Sequence, residues 1–439
     1  MLSTMQDARL QIRRLLEHGA ALHASATVDT AAPGGLRRVP YARIGADAAA
    51  LAHALGELGV GEGDRVGTFM WNNAEHLTAC LAVPSMGAVL HPLDARLPGE
   101  QIVRLAEHAE DRVLIADEAL LPHLGPLLPQ MKTVEHVIVN RAGGTGAGPA
   151  VPSGVTVHEY AALLDGRPPA YPWPDLDERA PAAICYAGDG SRAPKGVVHS
   201  HRSIYLHALS AAMPDAFGLS SGDKVLAVVP PSCALGWGLP YLAFLTGASL
   251  AMPDRFQAPQ ALAGFIAASR PTKGAAPLRV WRDLLAHIEA DPDADLSSLT
   301  EVFADGRPCS PDLLEGYERR GVTLLHVWGA AAAPARPPAD ATGAGARHYR
   351  LAQGRLPASV QARLVGPDGA ALPHDDFSVG ELQLRGPWIA GSYHRDEAPG
   401  DFHDGWLRTG ETGRISPDGY LTVTGRLADA RRDDHAGAG

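Results

Sequence analysis

Predicted helices and short buried strands alternate along most of this chain, and this alternation limits its possible folds more than any other feature. Apolar residues recur at helical spacing in some segments, and short apolar runs bounded by turns separate them. In the first third the helices are predicted at 46–58, 74–86 and 98–109, and the strands at 65–70, 88–90 and 113–116. This order predicts a parallel sheet covered by helices.

The rest of the chain divides into a second alternating block and a block of short strands. Buried strands are predicted at 184–186, 225–229 and 324–327, and alternating strands at 360–365, 380–385 and 419–424. We therefore expect an α/β protein with one large domain at 1–425, made of helix-covered sheet subdomains at about 1–180 and 181–345 and a β-rich subdomain at 346–425. A polar, frayed tail is expected within 426–439.

Charge and cysteine usage exclude several classes of partner. The chain has 49 acidic and 38 basic residues, a formal charge of −11 that disfavours a nucleic-acid partner. Its four cysteines are scattered without metal-binding spacing, so we expect a cytoplasmic protein with no metal site of its own. Prolines interrupt the long uncharged stretch at 225–253, which predicts buried strands and helices rather than a membrane span.

Three segments, in order, carry a resemblance to a known family. They run from Tyr186 to Arg202, from Val229 to Pro240, and from Gly405 to Arg414 with Gly425 and Arg426. They resemble the phosphate loop, the acyl-pocket segment and the ribose-binding strand with the hinge of the adenylate-forming (AMP-binding) superfamily. The resemblance is closest to the medium- and long-chain fatty acid CoA ligases.

The resemblance implies two groups of binding residues. Ser191, Lys195, Glu411 and Arg426 match nucleotide-binding positions. The substrate-binding candidates are Trp237, Gly238, Tyr241, Gly306, Trp328, Gly329 and Ala331. In the family about a hundred residues follow the hinge and form a mobile lid. Ten residues follow Asp429 here, so we expect the lid to be absent.

Several departures from the family pattern fall where ATP would bind. Asp189 and Arg192 replace the glycines of the phosphate loop, and Ala331 and Ala332 replace a threonine and a glutamate that engage phosphate and magnesium. Mg²⁺ requires oxygen ligands, which alanine side chains lack. These departures predict a degenerate ATP site and no cofactor.

The acyl-pocket segment offers a different chemistry. Cys233 is a candidate nucleophile, Ser232 a weaker one, and His199 and His201 are candidate bases. Alternatively, Cys233 is a small buried residue, and His201 is a first-turn residue of a helix capped by Ser200.

The first hypothesis is therefore a protein that binds an acyl or aryl small molecule and catalyses an ATP-independent hydrolysis, cyclisation or isomerisation in natural product biosynthesis. The alternative is an ATP- and Mg²⁺-dependent acyl-CoA ligase with a lid supplied by another chain. A third hypothesis is a non-catalytic partner of an intact homologue or of a carrier protein.

Overall fold

The computed structural model describes residues 3–141, 152–187, 194–291, 293–306, 309–329 and 333–427. The glycine-rich connector at 142–148, expected to be a surface loop, and the tail expected at 430–439 lie outside these residues.

The described strands form three sheets. They are β1 (Thr27–Ala32), β2 (Gly35–Pro40), β3 (Arg65–Phe69), β4 (Val89–Pro92), β5 (Asp111–Asp117), β6 (His136–Asn140), β7 (Thr156–Glu159), β8 (Pro181–Ala187), β9 (Lys195–Ser200), β10 (Lys224–Ala227), β11 (Ser249–Met252), β12 (Lys273–Pro277), β13 (Glu301–Asp305), β14 (Thr323–Val327), β15 (Gly354–Arg355), β16 (Gln361–Val365), β17 (Ala371–Leu372), β18 (Gly380–Arg385), β19 (Phe402–His403), β20 (Trp406–Ile415) and β21 (Tyr420–Arg426).

The described α-helices cover the first two sheets or connect their strands. They are α1 (Ile12–Leu22), α2 (Tyr41–Glu57), α3 (Ala74–Ser85), α4 (Gly99–Ala109), α5 (Leu121–Leu124), α6 (Tyr160–Leu164), α7 (His201–Ala212), α8 (Ala234–Trp237), α9 (Leu239–Thr246), α10 (Pro259–Ser269), α11 (Leu278–Ala290), α12 (Pro311–Glu318) and α13 (Gly343–Leu351).

Two of the sheets are mainly parallel. The N-terminal sheet has the order β7-β6-β5-β3-β4-β8-β9, and only β9 runs antiparallel to its neighbour. The central sheet has the order β14-β13-β12-β10-β11-β1-β2, and only β2 is antiparallel. The predicted α/β architecture with a parallel sheet is confirmed.

The C-terminal sheet is antiparallel, with the order β15-β21-β20-β18-β16-β17 and β19 beside β20. One face packs a small core of Leu364, Leu382, Ile415 and Leu421. This sheet is the β-rich part that the alternating pattern predicted.

The two parallel sheets exchange strands across the boundary expected near residue 180. Strands β1 and β2, from the start of the chain, join the central sheet beside β11. Strands β8 and β9 join the N-terminal sheet beside β4. Buried Asp29 of β1 explains the first exchange, because its carboxylate accepts hydrogen bonds from Lys224 at the start of β10 and from Arg38 of β2.

Two local predictions are confirmed. The Ser200 side chain accepts a hydrogen bond from the Ser203 backbone at 3.1 Å, and Ser203 Oγ accepts one from the Ser200 backbone at 3.0 Å, so Ser200 caps α7. The uncharged stretch at 225–253 forms β10, α8, α9 and β11. Among the helices of the described residues, none has the length and apolar character needed to cross a bilayer.

Candidate functional site

The carboxyl ends of β13 and β14 lie side by side and present two glycines. Gly306 and Gly329 follow these strands with φ values of 121° and 55°, where side chains are disfavoured. Among the described residues, apart from Gly306 and its chain neighbours, no heavy atom lies within 4 Å of the position that a Cβ of Gly306 would occupy. Ligands of open α/β sheets bind outside such carboxyl ends, so this edge is a candidate binding surface.

Asp305, the last residue of β13, lies at this edge. Burial raises the pKa of its carboxyl group, while hydrogen bonds from the backbone N–H groups of Gly306 and Gly329 oppose that shift. The aspartate is therefore bound to the glycine backbone, and its oxygens are held by the chain itself.

Glu411 reaches the same edge from β20. The indole Nε1–H of Trp328 donates a hydrogen bond to its carboxylate at 2.6 Å. Arg426 lies directly opposite Glu411 in the register of β20 and β21. Trp328, Glu411 and Arg426 were all predicted as site residues from the sequence. In the structure they lie at the junction of the central and C-terminal sheets.

Lys195, at the start of β9, is the predicted phosphate-side cation. Its ammonium group forms an ion pair with Asp401 and lies 4.8 Å from the centroid of the Tyr393 ring. The side chain is only 18% exposed. The ammonium group of Lys195 is therefore fixed by protein contacts and is not a solvated surface charge.

The acyl-pocket segment contributes an aromatic wall in which Trp237 is buried and two histidines that pack on it are half-buried. The Trp237 ring centroid lies 4.2 Å from that of His199 and 5.0 Å from that of His207. The position of a Cβ on Gly238 would lie 2.4 Å from His207 Cε1, so only glycine admits this imidazole. Burial lowers the pKa of His199 to about 3 and that of His207 to about 4, which leaves both rings neutral at physiological pH.

Two further acyl-side candidates are buried. Tyr241 donates a hydrogen bond from its hydroxyl to the Cys80 carbonyl at 3.3 Å and belongs to the main apolar core. The hydroxyl of Ser232 is buried, without a hydrogen-bond partner in the described part of the chain.

The proposed Cys233 nucleophile has an arginine as its partner. Arg96 donates a hydrogen bond to Cys233 Sγ at 3.1 Å, and burial raises the pKa of the thiol. His199 packs on Trp237, whereas His201 Nδ1 accepts a hydrogen bond from the Ile12 backbone N–H at 3.3 Å. Among the described residues, no histidine is hydrogen-bonded to Cys233. The catalytic assignment therefore stays a prediction without support from this geometry.

Two predicted site residues, Ser191 and Ala331, lie outside the described residues, as do Asp189, Arg192 and Ala332. Sequence reasoning also missed functional candidates. Asp401, Tyr393 and His207 contact predicted site residues but belong to none of the quoted motifs. His199 lies on β9 and His207 on α7, so no single helix or strand periodicity in the sequence links the two.

Comparison with known proteins places this chain in a class. Among solved structures, the chain resembles an anthranilate CoA ligase in complex with anthranoyl-AMP, with a TM-score of 0.83, 21% identity, and coverage of 98% of this chain and 80% of that chain. It also resembles the N-terminal domain of FACL13 from Mycobacterium tuberculosis, with a TM-score of 0.79, 20% identity, and coverage of 96% of this chain and all of that one. These likenesses show the fold of adenylate-forming enzymes.

The family model of AMP-binding enzymes matches residues 17–394, and this chain belongs to that family. A 3-methylmercaptopropionyl-CoA ligase of Ruegeria pomeroyi is 33% identical over 98% of this chain and 81% of that protein. A medium-chain fatty acid CoA ligase of Ectopseudomonas oleovorans is 32% identical over 98% of this chain and 80% of that protein. A long-chain fatty acid CoA ligase of Thermus thermophilus is 33% identical over 97% of this chain and 79% of that protein.

These relatives overturn the first functional hypothesis. Individual substitutions at the phosphate loop and at Ala331 and Ala332 had predicted an ATP-independent step. Proteins named as CoA ligases share a third of their residues with nearly the whole chain, so the prediction of a repurposed, ATP-independent enzyme is wrong. The comparisons give no support to a role in natural product biosynthesis. The resemblance to the adenylate-forming superfamily is confirmed.

Proposed function

We propose that this chain is an ATP-dependent acyl-CoA ligase, which activates a carboxylic acid as its acyl adenylate and transfers the acyl group to the thiol of CoA. The observation that carries this proposal is the 32–33% identity, over 97–98% of the chain, to proteins named as CoA ligases for different acids. The substrate is expected to be an acyl or aryl carboxylic acid.

The sugar end of a nucleotide fits the residues at the central sheet edge. A carboxylate has about four lone-pair sites, so Glu411, which is oriented by Trp328, is a suitable acceptor for ribose hydroxyls. Gly306 leaves open space beside the strand end, where a flat base can approach the backbone. We assign the ribose contact to Glu411 and the base contact to the glycine edge.

The phosphate end relies on Lys195. An ammonium group is a point charge with three donors and suits phosphate oxygens. When bound, ATP supplies the electrophilic phosphorus that the substrate carboxylate attacks, with pyrophosphate as the leaving group. Lys195 would bind and orient the phosphates during this step.

Magnesium is expected to arrive with the nucleotide. Among the described residues, no group of three or more His, Cys, Asp or Glu side chains could hold a metal ion. Mg²⁺ in nucleotide sites usually keeps several waters and takes phosphate oxygens with one or two carboxylates. The described residues thus fit a metal held mainly by phosphate.

The buried wall suits the uncharged body of the acid. Trp237, His199 and His207 present neutral rings there, and a charged group would lose its hydration without gaining a counter-ion. We expect the carboxylate of the substrate to lie outside this wall, on the side of the charged Lys195.

Exchange of radiolabelled pyrophosphate into ATP tests the proposal. The purified chain is assayed with Mg²⁺ and, in turn, 3-(methylthio)propanoate, octanoate, palmitate and anthranilate, and thioester formation with CoA is followed by chromatography. We expect acid-dependent exchange with at least one acid, and its loss in Glu411→Ala. Absence of exchange with every acid, together with no heat of ATP binding by calorimetry, would contradict the proposal.

A further inference from the structure

The ion-pair partner of Lys195, at the phosphate end of the site, lies outside every motif of the sequence. Asp401 is 206 residues from Lys195, in the short turn Pro399–Asp401 that precedes β19. We propose that Asp401 is a positioning residue for Lys195, and that nucleotide binding exchanges the Lys195–Asp401 ion pair for a contact between Lys195 and phosphate. This inference rests on the proposed function, because it assigns a partner to a residue of the same site.

The contacts of Lys195 show that Asp401 determines where its ammonium lies. The two side chains are 18% and 26% exposed, so water screens the pair only in part. The ring of Tyr393 lies beneath the ammonium at 4.8 Å and adds a cation–π contact. In the described residues the ammonium therefore has one carboxylate and one aromatic face as partners.

Asp401 belongs to a segment, residues 393–401, that is attached to the N-terminal sheet by independent contacts. Arg395 donates a hydrogen bond to Glu110 at 2.8 Å, and His108 Nε2 lies 3.4 Å from the Glu397 carboxylate. These contacts hold the segment when Lys195 is not bound to it. Asp401 can thus remain in place while the lysine changes partner.

Gly196 lets this segment approach the strand that carries Lys195. A Cβ at Gly196 would lie 3.0 Å from the Cβ of His394 and 3.3 Å from the ring of Tyr186. The close approach brings the 393–401 segment against β9, and the reach of Lys195 to Asp401 follows from it. A side chain at position 196 would separate the two.

The pair opposes phosphate binding through charge. An ammonium group next to a carboxylate attracts a polyphosphate less than a free ammonium group does. Lys195 must also leave Asp401, or share its protons, to contact a phosphate oxygen. Ion pairs of this exposure change an equilibrium by about two- to fivefold, which is the size of effect we expect on ATP affinity.

The test compares Asp401→Asn with Asp404→Asn in the full chain. Asp404 lies three residues after Asp401, is 80% exposed and pairs with His403. It is therefore a matched carboxylate whose ion pair is not with Lys195. Binding of MgATP and of inorganic tripolyphosphate is measured by calorimetry, and kcat and KM for ATP by pyrophosphate exchange. We expect Asp401→Asn to lower the dissociation constants of both ligands about two- to fivefold and to lower KM for ATP with kcat unchanged. Asp404→Asn should change none of these values.

A double-mutant cycle with Lys195→Met separates the ion pair from a general charge effect. If Asp401 acts through Lys195, the gain from Asp401→Asn disappears in the Lys195→Met background. An equal gain in affinity in both backgrounds, or no gain in the wild-type background, overturns the inference. If the wild type still binds ATP in that case, the proposed function stands. Failure of the wild type and all variants to bind ATP overturns both, and calorimetry of the wild type alone identifies that case.

Discussion

The acyl-side wall and the nucleotide side of the candidate site, here called the edge, differ in chemical character. The wall consists of Trp237, which is buried, and of His199 and His207, which are half-buried and uncharged. The edge depends on Glu411 and on the Lys195–Asp401 pair, which are charged and partly exposed. One side is packed like a protein core, and the other is a set of exchangeable polar contacts.

This difference separates stability from ligand affinity. Rings in the wall contribute to the free energy of folding because their removal leaves a cavity. Groups at the edge keep contact with water, so they can change partners at small cost when a charged ligand arrives. Changes in the wall should therefore alter the free energy of unfolding and acid binding, and changes at the edge should alter ATP binding with little effect on unfolding.

The largest expected effect comes from Trp237→Ala in the wall. Trp237 is 5% exposed, and truncation of a buried tryptophan costs about 3–5 kcal/mol of unfolding free energy. Chemical denaturation measures this loss. The matched control is Trp406→Ala, because Trp406 lies partly exposed between the guanidinium groups of Arg363 and Arg385 and should cost about 1 kcal/mol. Equal losses in the two variants would show that the wall is not packed as a core.

Glu411→Ala tests the edge. A hydrogen bond to a charged group contributes about 1.5–3 kcal/mol, so we expect KM for ATP to rise about tenfold or more through loss of the ribose acceptor. The midpoint of thermal unfolding should change little. Glu289→Ala is the control, since that carboxylate lies on α11 and pairs with Arg319 and Arg320. A large fall in stability with unchanged KM would reverse the assigned role of Glu411.

The neutral histidines of the wall predict a pH dependence of stability. The pKa of His207 falls from 6.5 to about 4 on folding, so the unfolded chain binds more protons below pH 6.5. Its stabilising contribution is complete above pH 6.5 and is lost as the pH falls towards 4, with a slope of up to about 1.4 kcal/mol per pH unit. His207→Gln should reduce the slope of unfolding free energy in this range.

Asp117 acts in the opposite direction and must be separated from this effect. Burial, followed by the charge of Asp254, raises the pKa of the Asp117 carboxyl group from 3.8 to about 7, so its contribution to stability falls as the pH rises through this range. The difference between the wild type and His207→Gln removes the Asp117 contribution. His403→Gln, at an exposed position, is the control, and identical slopes in the wild type and His207→Gln would contradict the buried neutral imidazole.

Much of the fold could be predicted because its signals are local. Apolar runs bounded by turns predicted six strands of the two parallel sheets, β3, β4, β5, β8, β10 and β14. The Ser200 cap depends on a residue three positions away. The exchange of β1, β2, β8 and β9 between sheets could not be predicted, because pairing of distant strands leaves no local pattern.

The site was predicted only in part for the same reason. The hydrogen bond from Trp328 to Glu411 joins residues 83 positions apart, and each was recognised through its own motif. Asp401 has no motif, so its contact with Lys195 could be found only in the folded chain. The wrong functional prediction arose from weighing single departures such as Asp189, Arg192, Ala331 and Ala332, although backbone groups and distant side chains also form the site.

Ser200→Ala gives the smallest effect and the most specific comparison of wall and edge. Ser200 caps α7, the helix that carries His207, and its hydroxyl accepts a hydrogen bond from the Ser203 backbone N–H of the same helix. Loss of a serine cap costs about 1 kcal/mol, and restoration by Ser200→Thr should recover most of it. Because α7 supports the wall, we expect lower unfolding free energy and a weaker acid affinity, with KM for ATP unchanged. A rise in KM for ATP in Ser200→Ala, absent in Ser200→Thr, would mean that the helix also positions the edge, and the separation of wall from edge would fail at α7.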